Sequence, residues 1–126
     1  MSSDLRFAKT HEWVKVEEDV AVVGITPYAV EQLGDVVYIE FPEEGDEVQQ
    51  GAAFGEIESV KAASELNAPV SGTVVAANTG LEDNYDVLAE DAFGKGWIIK
   101  LRMNDTDQIQ SLMTREQYDT FVEEEE

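Results

Sequence analysis

The sequence predicts a mainly β protein, a sandwich or barrel of short strands with two short helices attached. Three observations support this class. Runs rich in Val, Ile, Tyr, Phe and Thr are short, turn signals made of Gly, Asp, Asn and Pro recur between them, and two segments carry helix-capping patterns. The chain has 126 residues and no linker-like segment, so residues 1–126 are expected to form one domain.

Three strands are predicted before the first helix and one directly after it. Residues 5–9 and 12–18 have the pattern of short strands, and residues 20–25 follow across Glu18-Asp19, which predicts a hairpin. Residues 36–41 give the strongest strand signal in the chain. Their near-continuous apolar character predicts a strand central to the core.

The first helix is predicted to begin at Thr26-Pro27, because a capping hydroxyl is followed there by proline at the first helical position. Ala29, Val30 and Leu33 give this helix one apolar face. Gly34 follows directly and is expected to end it.

Two more strands are expected in the second half of the chain, at residues 73–77 and 96–102. The segment between them, residues 78–96, is rich in Gly, Asp and Asn. We expect it to form loops with one helical turn.

A C-terminal helix is predicted from its start signals. Thr114 and Gln117 form a capping box, and Met113 and Tyr118 have the spacing of a hydrophobic staple. Three side chains are expected to dock this helix on the sheets: Tyr118, Phe121 and Val122.

Acidic residues dominate the charge: 28 Asp and Glu against 8 Lys and Arg give a formal net charge of −20. This argues against nucleic acid or an anionic membrane as a partner, because phosphate contacts need Lys and Arg. The acidity either steers the protein toward basic-faced partners or adapts it to a salt-rich cytoplasm, and its spread along the chain favours the second. The glutamates at 123–126 stand at the negative end of the last helix, so we expect a frayed, solvated tail and not a metal site.

The chain has no cysteine, which excludes disulfides, a thiolate nucleophile and thiolate metal ligands. Any sulfur redox chemistry would have to come from an attached group. No apolar run reaches membrane-spanning length, and the first residues, 1–4, lack the features of a signal or transit peptide. We therefore expect a soluble cytoplasmic protein, and the absence of a long apolar seam favours a monomer.

The rest of the chain is organised around residues 55–66, which read as two short strands joined by a tight turn. Ala68-Pro69 ends the pairing. Lys61 stands in the turn and must project into water, because an ammonium group is not buried without a partner. Its small neighbours leave room for another protein to reach the tip. A rigid hairpin that presents one amine is suited to covalent attachment of a carrier cofactor.

Two motifs frame this lysine: GDEVQQG at residues 45–51 and APVSGTV at residues 68–74. Together with ESVKA around Lys61, they resemble the lipoyl and biotinyl carrier domains. Biotin carriers usually place methionine on both sides of the acceptor lysine, whereas this chain has Val60 and Ala62. The resemblance therefore favours lipoate.

Over nearly its full length, the chain resembles the H proteins of the glycine cleavage system, and this resemblance implies a barrel-sandwich hybrid of two antiparallel sheets. It departs from the family pattern at Pro27, at Tyr85 and over residues 88–94, which leaves the lysine untouched but puts partner contacts in question. The matching segments are THEWV (10–14), GIT (24–26), LGDVV (33–37), ESVKA (58–62), PVSG (69–72) and GWIIK (96–100).

The resemblance implies a function in glycine catabolism and one-carbon metabolism. Lys61 would carry lipoic acid in amide linkage and accept an aminomethyl group at a pyridoxal-phosphate glycine decarboxylase (P protein). A tetrahydrofolate-dependent aminomethyltransferase (T protein) would take that group, and dihydrolipoamide dehydrogenase (L protein) would reoxidise the arm. The chain would be a non-catalytic carrier. The same hairpin also fits an H-like protein that acts as a lipoyl donor or relay in protein lipoylation.

Several side chains are candidates for the site. Glu12 and Glu65 are expected to line a cleft that protects the cationic load, although both are also compatible with ordinary surface acids. His11, the only histidine, is expected to be hydrogen-bonded and structural, because alone it forms neither a triad nor a metal centre. Trp13 and Trp97 are expected in the core. The residues expected to be recognised by the lipoyl-attaching enzyme are Glu58, Ser59, Val60 and Ala62.

Two further classes compete with the carrier. An enzyme with paired carboxylates is disfavoured, because 28 acids make chance pairs inevitable and no nucleophile or metal constellation accompanies them. An unmodified acidic interaction module predicts that the protein from its native host has the mass of the bare chain.

Overall fold

The computed structural model describes residues 5–125, which form two antiparallel sheets and three α-helices. Residues 1–4, and Glu126 of the predicted acidic tail, lie outside the described residues. The strands are β1 (Leu5–Phe7), β2 (Glu12–Glu17), β3 (Val20–Ile25), β4 (Val36–Glu40), β5 (Glu47–Val48), β6 (Ala53–Ser59), β7 (Ala63–Asn67), β8 (Gly72–Ala77) and β9 (Ile99–Met103). The helices are α1 (Pro27–Leu33), α2 (Val87–Glu90) and α3 (Arg115–Glu125), with 3₁₀ segments at Thr79–Asp83 and Thr106–Ser111.

The larger sheet has six strands in the order β1-β2-β3-β9-β8-β5, and the smaller has three in the order β4-β6-β7. Every strand pair is antiparallel. The main core joins the two sheets and α1, with Val23, Ile57 and Leu101 among its buried members. This arrangement agrees with the predicted mainly β class and with the two sheets that the resemblance implies.

A second apolar cluster covers the other face of the larger sheet. Successive strand residues point to opposite faces, so Val14 and Val23 face the main core while Trp13 and Val22 face this cluster. Buried Tyr118 docks α3 here, with Met113, Phe121 and Val122 packed around it. The predicted docking face of α3 is confirmed, and so is the core position of Trp13. Trp97 is half-buried at the border of the cluster, with the Lys100 ammonium 4.9 Å from the centre of its ring.

The capping signals of both predicted helices are confirmed. Thr26 Oγ1 accepts the Ala29 N–H at 3.3 Å, and the Gly34 N–H donates to the Val30 carbonyl at 3.0 Å. At α3, the Thr114 N–H donates to the Gln117 side chain at 2.9 Å and the Gln117 N–H donates back to Thr114 Oγ1 at 3.2 Å. α3 is helical through Glu125, so the first residues of the predicted frayed tail belong to its last turn. Fraying of that tail stays a prediction.

The prediction that residues 36–41 form a central strand is wrong. β4 is an edge strand of the smaller sheet and pairs with β6 alone. One of its faces meets the core through Ile39, while Val37 and Tyr38 are 51% and 46% exposed. A register shift between Val36 and Tyr38 turns these consecutive apolar side chains outward.

The last predicted strand is shorter than expected. β9 begins at Ile99, because Gly96 and Trp97 turn with the preceding loop: the Gly96 N–H donates to the Asp91 carbonyl and the Trp97 N–H donates to the Gly94 carbonyl. The loop segment 78–96 contains two helical pieces and not one. No helix among residues 5–125 is long and apolar enough to cross a bilayer.

Candidate functional site

Strands β6 and β7 form the predicted hairpin that presents Lys61. Their register pairs Glu56 with Glu65 and Glu58 with Ala63, so the strands stay paired almost to the tip. Buried Phe54, Ile57 and Leu66 attach the hairpin to the main core. The tip therefore rests on a packed base, which restricts the motion of the lysine backbone.

A hydroxyl group stabilises the turn at the tip. The Ser59 N–H donates to the Ala62 carbonyl at 2.7 Å and closes the turn. Ser59 Oγ accepts the backbone N–H groups of Lys61 at 3.3 Å and of Ala62 at 3.1 Å, and it lies 3.2 Å from the Ala62 carbonyl oxygen as a donor. The serine thus satisfies two donors that the reversing chain would otherwise leave to solvent.

The tip is also tied to the end of helix α1. The Val60 N–H donates to the Asp35 carbonyl at 3.0 Å. Gly34, next to Asp35, has φ +81° and ψ −137°, a conformation that other residues strongly avoid. A side chain at position 34 would place its Cβ 3.4 Å from Lys61 Cε, so the exposed lysine stem passes over this glycine.

Beside the hairpin lies a cleft of about 340 Å³, which we call the carrier cleft. Its walls are the β1–β2 connection, helix α1 and the hairpin, beginning with Ala62, the residue after the lysine. Apolar groups form much of its surface. The lining residues are Thr10, His11, Glu12, Ile25, Tyr28, Ala29, Gln32, Leu33, Ile57, Ala62, Ser64, Glu65 and Leu66.

Glu12 is a buried acid in this cleft, with 2% of its surface exposed. Thr10 Oγ1 donates to its Oε1, and the Asn67 N–H donates to its Oε2 at 3.0 Å. Burial raises the pKa of Glu12 to about 7, and these hydrogen bonds oppose that rise. The group can therefore change its charge near neutral pH when its surroundings change.

Glu65 lies at the same cleft but in a different environment. It is exposed, and it stands opposite Glu56 across the β6–β7 pair. The structure brings the two predicted cleft acids together: Glu12 is buried there and Glu65 is solvated. Because Glu12 is buried and Glu65 is solvated, a charge near Glu12 interacts with it more strongly than the same charge would with Glu65.

His11 is hydrogen-bonded, as predicted. Its Nδ1 lies 2.8 Å from the Tyr118 hydroxyl, and its ring centre lies 4.8 Å from that of Tyr28. The backbone at His11 has φ +76°, in the left-handed region. The residue therefore forms a turn at the cleft wall and joins it to α3.

The predicted recognition residues occupy different depths of the tip. Val60 is 71% exposed, and Ala62 is exposed at the entrance of the carrier cleft. Glu58 and Ser59 are half-buried, Ser59 within the turn and Glu58 in the sheet. Contact of these four with an attaching enzyme stays a prediction.

Several residues that line or support the cleft were not predicted as site residues from the sequence. Tyr28 and Gln32 have a local signal, because they stand one turn apart on a helix whose cap was recognised. Thr10 stands two residues before Glu12 in a matching segment. Asn67 and Tyr118 contact the site from distant positions in the sequence, so no local sequence pattern predicts their contacts with it. Among residues 5–125, no group of three or more His, Asp and Glu has the geometry to hold a metal ion.

Comparisons with known proteins agree on one family. The family model described as glycine cleavage H-protein matches residues 5–125. A glycine cleavage system H protein of Synechococcus sp. (strain JA-3-3Ab) is 50% identical over 119 residues, covering 94% of this chain and 92% of that protein. One from Acinetobacter baumannii (strain AYE) is 50% identical over 117 residues, covering 93% and 94%.

A solved structure gives the same result for the fold. The crystal structure of a glycine cleavage system H protein from Mycobacterium marinum is similar to this chain with a TM-score of 0.88 and 33% identity. The match covers 98% of this chain and 99% of that one. The similarity extends over both sheets and the helices, which confirms the expected barrel-sandwich fold.

Proposed function

Because the chain belongs to the glycine cleavage H-protein family, we propose that it is the lipoyl carrier of a glycine cleavage system, with Lys61 as the point of attachment. The geometry of the hairpin tip supports the assignment of Lys61. Lys61 is exposed at the end of a packed hairpin, its backbone N–H is bound by Ser59, and its stem passes over Gly34. An attaching enzyme can reach the amine without unfolding the hairpin.

The residues around Lys61 fit a lipoyl group joined by an amide bond. An amide removes the ammonium charge, and the partly apolar carrier cleft begins at the next residue, Ala62. When attached, the group supplies a dithiolane, the sulfur chemistry that this cysteine-free chain lacks. The sequence and the geometry thus meet the two needs of this cofactor, an accessible amine and a nearby sheltered surface.

Within this proposal, the chain's own groups shelter the load. The apolar side chains of Ile25, Leu33 and Leu66 keep water from the cleft walls. Glu12 offers a carboxyl group to a cationic amine, and a nearby cation favours its charged form. Glu65, exposed at the same cleft, contributes at most a screened attraction.

We also propose three catalytic partners. The chain takes an aminomethyl group from the pyridoxal-phosphate glycine decarboxylase (P protein) and delivers it to the tetrahydrofolate-dependent aminomethyltransferase (T protein). Dihydrolipoamide dehydrogenase (L protein) then returns the carrier to its oxidised form. The chain itself is a non-catalytic, monomeric carrier in the cytoplasm, and tethering replaces diffusion between active sites with a high effective concentration.

Intact mass tests the attachment. Protein expressed in its native host is expected to be heavier than the bare chain by one lipoyl group, and Lys61→Arg is expected to abolish that increment. Lys95→Arg, a substitution at another exposed lysine, is the matched control and should keep it. A bare-chain mass for the wild type would support the unmodified interaction module, and an increment that survives Lys61→Arg would place the attachment elsewhere.

A second candidate, the lipoyl donor or relay, uses the same exposed lysine. Glycine–bicarbonate exchange separates it from the carrier, because exchange needs productive transfer at the decarboxylase. We expect lipoylated wild-type protein to support exchange and the Lys61→Arg variant to give none. A lipoylated protein that supports no exchange with an active decarboxylase would favour the relay.

A further inference from the structure

Tyr118 connects the C-terminal helix to two separate walls of the carrier cleft. The residue is buried, with 5% of its surface exposed, and its ring stacks on Phe7 with ring centres 4.7 Å apart. Its hydroxyl lies 2.8 Å from His11 Nδ1 and 2.7 Å from Thr26 Oγ1. The residue does not line the cleft, so its influence on the cleft runs through these two neighbours.

The first neighbour belongs to the wall that holds Glu12. His11 stands between Thr10 and Glu12, and all three line the cleft. The left-handed backbone at His11, with φ +76°, is unfavourable for a residue with a side chain and needs support from its surroundings. The hydrogen bond from its ring to Tyr118 provides part of that support.

The second neighbour begins the opposite wall. Thr26 is the N-cap of α1, and its Oγ1 accepts the Ala29 N–H at 3.3 Å. Helix α1 contributes Tyr28, Ala29, Gln32 and Leu33 to the cleft. The Thr26 N–H also donates to the His11 carbonyl at 3.0 Å, so the two neighbours of Tyr118 are themselves joined.

We propose that the Tyr118 hydroxyl is a positioning group that holds the His11 wall and the α1 wall of the carrier cleft at the separation that keeps water from Glu12. The functional role of this group rests on the proposed carrier function, but the contacts that Tyr118 makes do not depend on that proposal. Removing the hydroxyl deletes two hydrogen bonds at a buried junction while the ring remains stacked on Phe7. The cleft then opens more often and admits water, although the sheets keep their packing.

Hydrogen exchange on the unloaded full-length chain tests the opening. In Tyr118→Phe, we expect the Asn67 amide, which donates to Glu12, and the Ala29 amide, which donates to Thr26, to exchange roughly three- to tenfold faster. After correction for any change in global stability, the amides of the central strand β9 should exchange at the wild-type rate. A variant that merely destabilised the fold would accelerate all of these amides together.

Val122→Ala is the matched control. Val122 is on the same helix and packs in the same apolar cluster as Tyr118, and its side chain cannot form these hydrogen bonds. It should lower the melting temperature without selective exchange at Asn67 and Ala29. Selective acceleration in this control, or wild-type exchange at both amides in Tyr118→Phe, would overturn the inference.

A second measurement connects the cleft to its load. In aminomethyl-loaded carrier, Tyr118→Phe is expected to release formaldehyde several-fold faster than wild type, while the rate of lipoylation at Lys61 stays the same. Equal release rates would contradict a role in shelter. If the wild-type chain from its native host carried no lipoyl group, the proposed function would fail, whereas the exchange experiment would still decide whether Tyr118 holds the cleft.

Discussion

Glu12 shows how one buried side chain makes the stability of this protein depend on pH. Burial raises its pKa from its ordinary value to about 7 in the folded protein. Between those values, the folded protein keeps a proton that the unfolded chain releases. The stabilisation is therefore fully present below the ordinary pKa of glutamate, decreases as the pH rises between the two values and is lost above about pH 7.

The first prediction follows from this proton. Glu12→Gln keeps the size and hydrogen-bonding capacity of the protonated acid but cannot ionise. Between pH 5 and pH 8, we expect wild type to lose roughly 2 kcal/mol of unfolding free energy that the variant does not lose. The variant should therefore be the more stable protein at pH 8. Urea unfolding at both pH values measures this difference. Glu65→Gln, at an exposed position of the same cleft, should keep the wild-type change; a Glu12→Gln variant that kept it too would contradict the assignment.

The second prediction concerns the same two acids in the loaded carrier. A cation beside Glu12 favours the charged carboxylate, and such a charged hydrogen bond is stronger in a water-poor cleft than in solvent. Glu12→Gln is expected to shorten the lifetime of the aminomethyl load about tenfold, which corresponds to the loss of one charged hydrogen bond. Glu65→Gln should change it little. The rate of formaldehyde release measures both lifetimes, and an unchanged rate in Glu12→Gln would exclude the sheltering role.

At the scale of elements, the junction between α1 and the lysine hairpin depends on one glycine. Gly34 ends the helix with φ +81° and ψ −137°, and the Lys61 stem lies over it. The next residue, Asp35, binds the hairpin tip through its carbonyl. A change at position 34 therefore disturbs the end of the helix and the base of the lysine together.

The third prediction is that Gly34→Ala destabilises the protein by about 1–3 kcal/mol, the range for a residue held in a disfavoured backbone conformation. Gly80→Ala is the control, because Gly80 has no positive φ and its added Cβ would meet only Asn78 Oδ1, at 3.8 Å. Urea unfolding compares the two. Equal stability of both variants would show that the backbone at position 34 adapts without strain.

The elements that the sequence predicts well are those with local signals. The Thr26 cap, the Thr114–Gln117 capping box and the turn at Lys61 are each written within a few residues, and the structure contains all of them. The position of β4 has no such signal, because a near-continuous apolar run, which favours a central strand, also occurs in an edge strand where a register shift turns side chains outward. Pairing with a distant partner decides between the two, and here β6 alone pairs with it.

The candidate site divides in the same way. Lys61, Glu12 and His11 stand in short segments that a reader of the sequence can single out. The depth of Glu12 and the environment of Glu65 depend on α1 and on Asn67, which reach the cleft only after the sheets have formed. Tyr118 reaches His11 across 107 positions in the sequence, and a staple pattern at α3 says nothing about that contact.

For the whole molecule, charge is the dominant property. The chain has 28 acidic and 8 basic residues. A single ion pair joins side chains that the structure describes, Arg102 with Asp19 at 3.8 Å. Both partners are more than half exposed, so this pair adds little stability. Glu40, Glu56 and Glu65 lie directly opposite one another across the smaller sheet, and like charges in that position repel. Folding therefore proceeds against self-repulsion that solvent ions can reduce.

The fourth prediction is that the melting temperature rises by several degrees between low salt and 1 M KCl. Over this range the screening length falls from about 10 Å at 0.1 M to about 3 Å, which removes most repulsion between exposed carboxylates. A shift of this size corresponds to about 1 kcal/mol for a chain of this length. Glu56→Gln removes the central charge of the glutamate row, so this variant should melt higher at low salt and gain less from KCl.

No gain in wild type would exclude adaptation to a salt-rich cytoplasm and leave steering of basic-faced partners as the reason for the acidity. An equal gain in the variant would show that the row contributes nothing and that the repulsion is spread over the whole surface.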